Sequence, residues 1–150
     1  MGVPPHVPAK TKPARLHERV ETNRVLTLRG RLGGRMESDC LFCKIIARKI
    51  PAAIEYEDDT VLIFRDISPQ APTHCLVIPK RHIAGAGELK IQGEDDALAG
   101  DVLLKAAAFA RDRGLTDYRL VLNNGPQAGQ TVFHLHVHLL GGRTMHWPPG

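Results

Sequence analysis

The chain has 150 residues, a formal net charge of +4 and 43% hydrophobic residues. This length supports one domain with its own core. Because no apolar run approaches the ~18 residues that a membrane-spanning helix needs, we expect no membrane insertion. The positive charge is confined to residues 1–35, which hold eight Lys and Arg against two Glu, whereas residues 36–150 hold twelve against fourteen acids. We therefore expect no sequence-specific nucleic-acid binding by the main part of the chain.

Residues 1–35 are rich in proline and arginine, and we expect them to be disordered or a frayed helix beside a domain at 36–150. Three interpretations are open: an appendage upstream of a true start at Met36, a basic tail that contacts nucleic acid or acidic membrane, and an organellar presequence. The three cysteines and the lack of a secretory apolar segment favour a reducing compartment.

The first predicted element of the domain is a helix that Ser38 or Asp39 caps and that runs to about Arg48. Cys40 and Cys43 are three residues apart, so they share a face of its first turn. Such a pair is a redox couple, half of a metal site, or two small buried side chains. A zinc site needs two further ligands, which His82 and a later histidine could provide.

The middle of the chain alternates strands and one long helix. The pattern predicts a hairpin over 53–65, a loop over 66–72, a strand over 74–79, a helix over 94–113 and a strand over 118–123. The helix presents a buried stripe of Leu98, Val102, Ala106 and Phe109, and Gly114 supplies its left-handed end. The polar loop at 124–130 offers backbone amides to an anion.

The stretch Thr131 to Gly142 reads TVFHLHVHLLGG, in which three histidines alternate with apolar residues. A period of two predicts a strand, so the three imidazoles share one face while the apolar residues enter the core. These rings are His134, His136 and His138. Neutral rings in such a row bind a metal, or supply a nucleophile and proton donors near neutral pH; a merely solvated face is the alternative.

Several motifs, in order, identify the chain as similar to the histidine triad (HIT) superfamily, in its Hint branch. They are the alternating histidines, DISPQAPTH at 66–74, VIPKRH at 77–82, the loop at 123–129 and the ending GGRTMHWPPG at 141–150. The resemblance covers 39–150. It implies an α+β HIT fold, a five-stranded antiparallel sheet with two helices, and a homodimer with a continuous ten-stranded sheet.

The resemblance also implies a purine nucleoside phosphoramidate hydrolase of the adenosine 5′-monophosphoramidase type. His136 matches the nucleophile that forms a nucleotidyl-histidine, and His138 and His74 match the groups beside the phosphate. Asn123, Gly129 and Thr131 match the phosphate loop, and Asp66 matches the ribose contact. The residues that match the apolar purine slot are Leu41, Phe42, Ile45, Ile50, Phe64, Ile67 and Leu76. Trp147 matches a region that reaches toward the partner's site.

Cys40, Cys43, His82 and His134 resemble the structural zinc ligands of bacterial members, and catalysis there requires no cofactor. This similarity favours a cytoplasmic protein. Two other functions are open: a dinucleoside polyphosphate hydrolase on the same site, and a non-enzymatic purine nucleotide-binding or scaffold protein.

Overall fold

A computed structural model describes residues 39–149; the predictions for 1–35 and for Ser38 lie outside this range. Five strands form one antiparallel sheet in the order β1-β2-β3-β5-β4, accompanied by two α-helices. The elements are α1 Leu41–Ile46, β1 Ile54–Glu57, β2 Val61–Arg65, β3 Thr73–Pro79, α2 Glu94–Asp112, β4 Tyr118–Val121 and β5 Val137–Gly141. The predicted α+β architecture is confirmed. No helix in 39–149 is long and apolar enough to cross a membrane.

Each face of the sheet is covered by one helix, because side chains alternate between faces along every strand. On one face, α2 packs its buried stripe of Val102, Ala106, Phe109 and Ala110 against alternate residues of β2, β3 and β5. Leu98, which the sequence pattern placed in that stripe, is only half-buried. On the other face, α1 packs Phe42 and Ile45 onto the remaining buried residues, Leu62, Phe64, Leu76 and Ile78.

Helix α1 is shorter than the sequence pattern predicted. Its N-cap residue is Cys40, which makes no capping hydrogen bond with its side chain, so a cap at Asp39 is wrong. The helix ends at Ile46 because Arg48 adopts a left-handed φ of 59°, and the Lys49 N–H then donates back to the Lys44 carbonyl at 2.8 Å. The two cysteines therefore lie at the start of the helix, where the chain turns toward the sheet.

Strand β5 begins at Val137, so the prediction of one strand from Thr131 to Gly142 is wrong for its first half. The β3–β5 register pairs Val77 with Val137, and its continuation would place Pro79 opposite Leu135. Proline has no N–H to donate to a ladder, so pairing stops there. The Leu135 N–H donates instead to the Ile83 carbonyl at 2.6 Å. The predicted alternation survives, since Leu135, Val137 and Leu139 are all buried.

Candidate active site and metal centre

His136 lies just before β5 with its ring against α1. Its Nδ1 lies 2.7 Å from the His134 carbonyl oxygen, which can only accept a hydrogen bond, so Nδ1 carries the proton in the neutral ring. The proton on Nδ1 leaves a lone pair on Nε2. The ring of Phe42 meets His136 edge-on at 5.3 Å, and His138 lies 5.0 Å away between ring centroids. Backbone and neighbouring rings thus fix both the orientation and the tautomer of His136.

The Nε2 atom of His136 reaches solvent although the residue is only 5% exposed. Within residues 39–149, every buried side-chain nitrogen or oxygen has a hydrogen-bond partner, whereas this Nε2 has none. The atom is therefore not among the buried ones. A neutral imidazole with one fixed N–H and one accessible lone pair is suited to act as a nucleophile near neutral pH.

His74 and His138 form a second pair of rings beside His136. The backbone N–H of Gln70 donates to His74 Nδ1 at 3.1 Å, so the proton of the neutral His74 ring lies on Nε2. That Nε2 lies 2.9 Å from His138 Nδ1, which must therefore accept. The proton of His138 is left on its own Nε2. The backbone amide of Gln70 thus sets His138 Nε2 as a hydrogen-bond donor, in a ring whose centroid lies 5.0 Å from that of His136.

Burial keeps both of these rings neutral near pH 7. Burial, followed by the neighbouring His136 and His74, lowers the pKa of His138 to about 4. Burial also lowers the pKa of His74, opposed by the Asp66 carboxylate, whose Oδ2 lies 3.5 Å from His74 Nε2. The other Asp66 oxygen accepts from the Ser68 N–H at 2.7 Å. Asp66, the predicted ribose ligand, therefore lies beside His74, with one carboxylate oxygen near the ring and the other bound by its own loop.

The predicted phosphate loop brings Asn123 next to Gly129. A Cβ on Gly129 would lie 3.7 Å from Asn123 Nδ2, and Gly129 has a left-handed φ of 87° that favours glycine. Thr131, the third predicted residue, is exposed. Two members of the set are thus neighbours, and the structure gives no contact that joins Thr131 to them.

The loop is held by Gln130, a residue that the sequence analysis missed. Its buried amide accepts from the Gly125 N–H at 2.8 Å and donates to the Ala84 and Val132 carbonyls at 2.7 and 3.1 Å. Asn124 adds a bond from the Gly87 N–H at 2.9 Å. A glutamine inside a polar, glycine-bearing loop has no sequence signal that separates it from a solvated one. Only the packing of 83–88 against the loop reveals its role.

The residues of the predicted purine slot divide into two groups. Phe42, Ile45, Phe64 and Leu76 belong to one buried cluster under α1, and Ile50 packs against it half-buried. Leu41 and Ile67 are exposed, with Ile67 99% accessible. The structure therefore shows an apolar floor beside His136 and two surface residues. Trp147, at the far end of the chain, is also exposed.

Four possible metal ligands converge at the start of α1, and we call them the sulfur–histidine cluster: Cys40, Cys43, His82 and His134. Sγ of Cys40 and of Cys43 lie 3.5 and 3.6 Å from His134 Nδ1. The His82 Nδ1 lies 3.3 Å from Cys43 Sγ and 3.3 Å from His134 Nδ1. Tetrahedral zinc with its usual bond lengths holds sulfur and nitrogen ligands about 3.3–3.7 Å apart. The spacing and the donor set both fit such an ion.

The tautomer of His134 also fits a metal ion in the cluster. Its Nε2–H donates to the Pro79 carbonyl at 2.8 Å, so its Nδ1 lone pair points into the cluster. Histidine ligands of metals commonly donate their other N–H in this way. The His134 side chain is fully buried, and burial lowers its pKa to about 4, which favours the neutral form that a metal needs.

Asp66, His74 and His138 also lie close enough to one another to be considered as a metal site. Their hydrogen bonds do not fit one. Because Gln70 N–H occupies His74 Nδ1, the neutral ring presents a proton, and not a lone pair, to His138. We call His74 and His138 the histidine pair, and its arrangement is that of a hydrogen-bonded relay.

Known proteins share this fold and sequence. A family model described as the HIT domain matches residues 47–145. A "14 kDa zinc-binding protein" of Zea mays is 50% identical over 76% of this chain and 90% of its own length. "Adenylylsulfatase HINT1" of Arabidopsis thaliana is 46% identical over 76% of this chain and 78% of its own. The crystal structure of a HIT family hydrolase from Legionella pneumophila matches with a TM-score of 0.72 at 50% identity, covering 75% of this chain and all of that one. The chain therefore belongs to the HIT domain family.

Proposed function

We propose that this protein hydrolyses purine nucleoside phosphoramidates, of the adenosine 5′-monophosphoramidate type, through a nucleotide covalently bound to His136. The observation that carries the proposal is the state of His136, whose Nδ1–H is bound by the His134 carbonyl and whose Nε2 is accessible. Membership of the HIT family and similarity to a HIT family hydrolase support a hydrolase.

In the first step, the Nε2 lone pair of His136 attacks the α-phosphorus, an N–P bond forms, and the bond from phosphorus to the amine nitrogen breaks. The amine takes up a proton as it leaves. In the second step, water attacks the phosphorus, the Nε2–P bond breaks, and the nucleoside monophosphate is released. Over the two steps one water is consumed. Its oxygen enters the nucleoside monophosphate, one of its protons replaces the proton that the leaving amine took up in the first step, and its second proton goes to solvent, where the free amine becomes an ammonium ion. Division of one displacement into two eases each step.

We assign to His138 the assistance of the leaving amine. Its Nε2–H is set by the histidine pair, and the ring lies 5.0 Å from His136 between centroids. A neutral donor at this place stabilises charge on the leaving nitrogen or on a phosphoryl oxygen without repelling a cationic intermediate. Backbone amides of the loop that Gln130 holds are the second source of such stabilisation.

The remaining predicted residues would hold the nucleotide. Asn123 and Gly129 lie together in the loop, and Asp66 has one carboxylate oxygen turned toward the histidine pair. Phe42 belongs to the apolar cluster and contacts the nucleophile's ring, so a base that packs there would lie near the phosphate. This combination favours one base, one ribose and one phosphate, and it supplies no element that reads a nucleic-acid sequence.

A second substrate is suggested by the Arabidopsis relative that is named an adenylylsulfatase. Adenylyl sulfate and AMP-amines share the adenylyl group and the attacked phosphorus, and they differ only in the leaving group. The same His136 chemistry serves both. Turnover of the two substrates by one preparation would rank them, with diadenosine triphosphate as the test of polyphosphate hydrolysis.

The test is steady-state hydrolysis of adenosine 5′-monophosphoramidate by wild type, His136→Ala and His146→Ala. His146 is exposed and lies outside the site, so it is a matched control for the substitution. We expect His136→Ala to lose turnover by about 10⁴-fold or more, as nucleophile removal does, and His146→Ala to retain it. Unchanged turnover in His136→Ala, or none in wild type, would refute the proposal. Nucleotide binding without turnover would indicate a binding or scaffold role.

We also propose that the sulfur–histidine cluster holds one structural Zn²⁺. The fit of its spacing and the zinc-binding relative in maize support this assignment. The ion would join α1 to the segment that carries His134 and, through the His134 carbonyl, the nucleophile. Elemental analysis should find about one zinc per wild-type chain and little in Cys43→Ser. The variant His74→Ala, which alters only the rival cluster, should keep its zinc.

A homodimer is the third proposal. Strand β4 lies at one edge of the sheet; Tyr118, its first residue, is 36% exposed, and Leu122, just after its last residue, is 43% exposed. An edge strand of this kind pairs readily with another copy, which would give a continuous ten-stranded sheet. Light scattering should give twice the chain mass, and a proline at Leu120 should shift the protein toward monomer.

A further inference from the structure

The C-terminal segment, residues 142–149, contacts the loop that controls the histidine pair. The Arg143 Nε donates to the Gln70 carbonyl at 3.0 Å, and its Nη1 donates to the Thr144 carbonyl at 3.0 Å. The guanidinium therefore joins its own segment to residue Gln70. It is the N–H of Gln70 that donates to His74 Nδ1.

The two backbones also pack directly. A Cβ on Gly142 would lie 3.0 Å from Pro72 Cβ, and Gly142 has a φ of 85°, so only glycine suits this close approach. The loop between Asp66 and His74 has prolines at 69 and 72, which lack N–H groups and limit its internal bonds. Gln70 is thus held on both sides, by His74 through its amide and by Arg143 through its carbonyl.

We infer that Arg143 is a positioning residue, which holds Gln70 so that its amide keeps the His74 proton on Nε2 and thereby sets His138 as a donor. The chain of contacts runs from Arg143 to Gln70, to His74 Nδ1, and from His74 Nε2 to His138 Nδ1. Without the amide of Gln70, only the Asp66 carboxylate at 3.5 Å favours the proton on His74 Nε2, and the neutral ring can carry it on Nδ1 as well. The His138 proton then moves to its own Nδ1, and the accessible Nε2 becomes an acceptor.

Arg143 is exposed, so the effect of its removal is modest. The ring tautomers depend on geometry alone, whereas the effect on turnover rests on the proposed function. Ring-nitrogen NMR of the protein with ¹⁵N-labelled histidine separates the two, because the shifts of Nδ1 and Nε2 report which one carries the proton.

The experiment compares wild type with Arg143→Gln, Arg143→Lys and Arg119→Gln. Arg119 is the matched control, because it donates at 2.6 Å to the His146 carbonyl of the same segment and makes no contact with Gln70. In wild type we expect His74 and His138 to be protonated on Nε2. In Arg143→Gln both rings should move toward a mixture of tautomers, and kcat should fall about three- to fivefold with KM changed less than twofold, as loss of one hydrogen bond allows. Arg143→Lys should recover part of both effects.

Wild-type ring shifts in Arg143→Gln would overturn the inference, and so would equal changes in Arg119→Gln, which would show a general effect of the segment. A wild type that does not hydrolyse phosphoramidates would refute the proposed function and leave the NMR result to decide the positioning role.

Discussion

The sulfur–histidine cluster and the histidine pair use the same residue type for opposite purposes. In the cluster, His134 Nε2–H donates to the Pro79 carbonyl, so the Nδ1 lone pair faces the other three residues. In the pair, His74 Nδ1 accepts from the Gln70 amide, so the ring proton lies on Nε2, which faces His138. A carbonyl therefore suits His134 to its proposed role as a metal ligand, and an amide suits His74 to donate to His138. The identity of one backbone group decides the chemistry of each histidine.

His136 lies between the two regions and is coupled to both. Its Nδ1 bonds to the carbonyl of the cluster residue His134, and its ring contacts the pair residue His138. Phe42 touches the rings of His134 and His136 alike. The His134 carbonyl thus fixes the tautomer of His136, the proposed nucleophile, and the pair places the ring of His138 against it.

The largest expected difference between the regions is in stability. Structural zinc in small domains contributes on the order of 10 kcal/mol of apparent folding free energy. Cys43→Ser or a strong chelator should therefore cost several kcal/mol of the free energy of unfolding, while His74→Ala should cost about 1–3 kcal/mol. Denaturant unfolding with and without added zinc measures both. Equal losses in the two variants would contradict the assignment of the metal to the cluster.

A smaller and more specific difference concerns the leaving group. His138→Ala should lower kcat for a phosphoramidate by about 10²–10³-fold, as loss of one hydrogen-bond donor to the charge that develops in the transition state does. With a nitrophenyl ester of AMP, whose leaving group needs no proton, the loss should be much smaller. Parallel kinetics with both substrates give the ratio. The same loss on both substrates would show that His138 has no role in assisting the leaving group.

The smallest expected effect is on the pH dependence of stability. The pKa of His138 is about 4 in the folded state, below its ordinary value, with His136, His74 and Asp66 as its charged or titratable neighbours. Its contribution to stability is therefore present above about pH 6.5 and is lost as the pH falls toward 4, because the unfolded chain binds the proton first. As the pH falls over this range, the free energy of unfolding should decrease less steeply in His138→Gln than in wild type. The two slopes should differ by up to about 1.4 kcal/mol per pH unit. Superimposable pH curves would contradict the burial argument.

Much of the fold follows from local pattern. The alternation of His134, His136 and His138 with apolar residues predicted which side chains face the core, and the long helix was recognised from its stripe and its charged ends. The pairing of Cys40 and Cys43 with His82 and His134 came from resemblance, since residue types alone left redox, metal and packing roles open.

The sequence pattern could not predict features that depend on which backbone groups meet in the fold. The early end of pairing at Pro79 depends on which residue the register places opposite it. The proton positions on His74 and His134 depend on an amide and a carbonyl that every residue possesses. Gln130 orders its loop through bonds to 84 and 132, which no spacing in the sequence reveals.

The most direct test of the account is mass spectrometry of the protein quenched during turnover of an AMP-amine substrate. We predict an adenylyl group on the peptide that contains His136, located on that ring by fragmentation. An adenylyl group on His74 or His138, or rapid turnover with no labelled histidine, would contradict the assignment of His136 as the nucleophile.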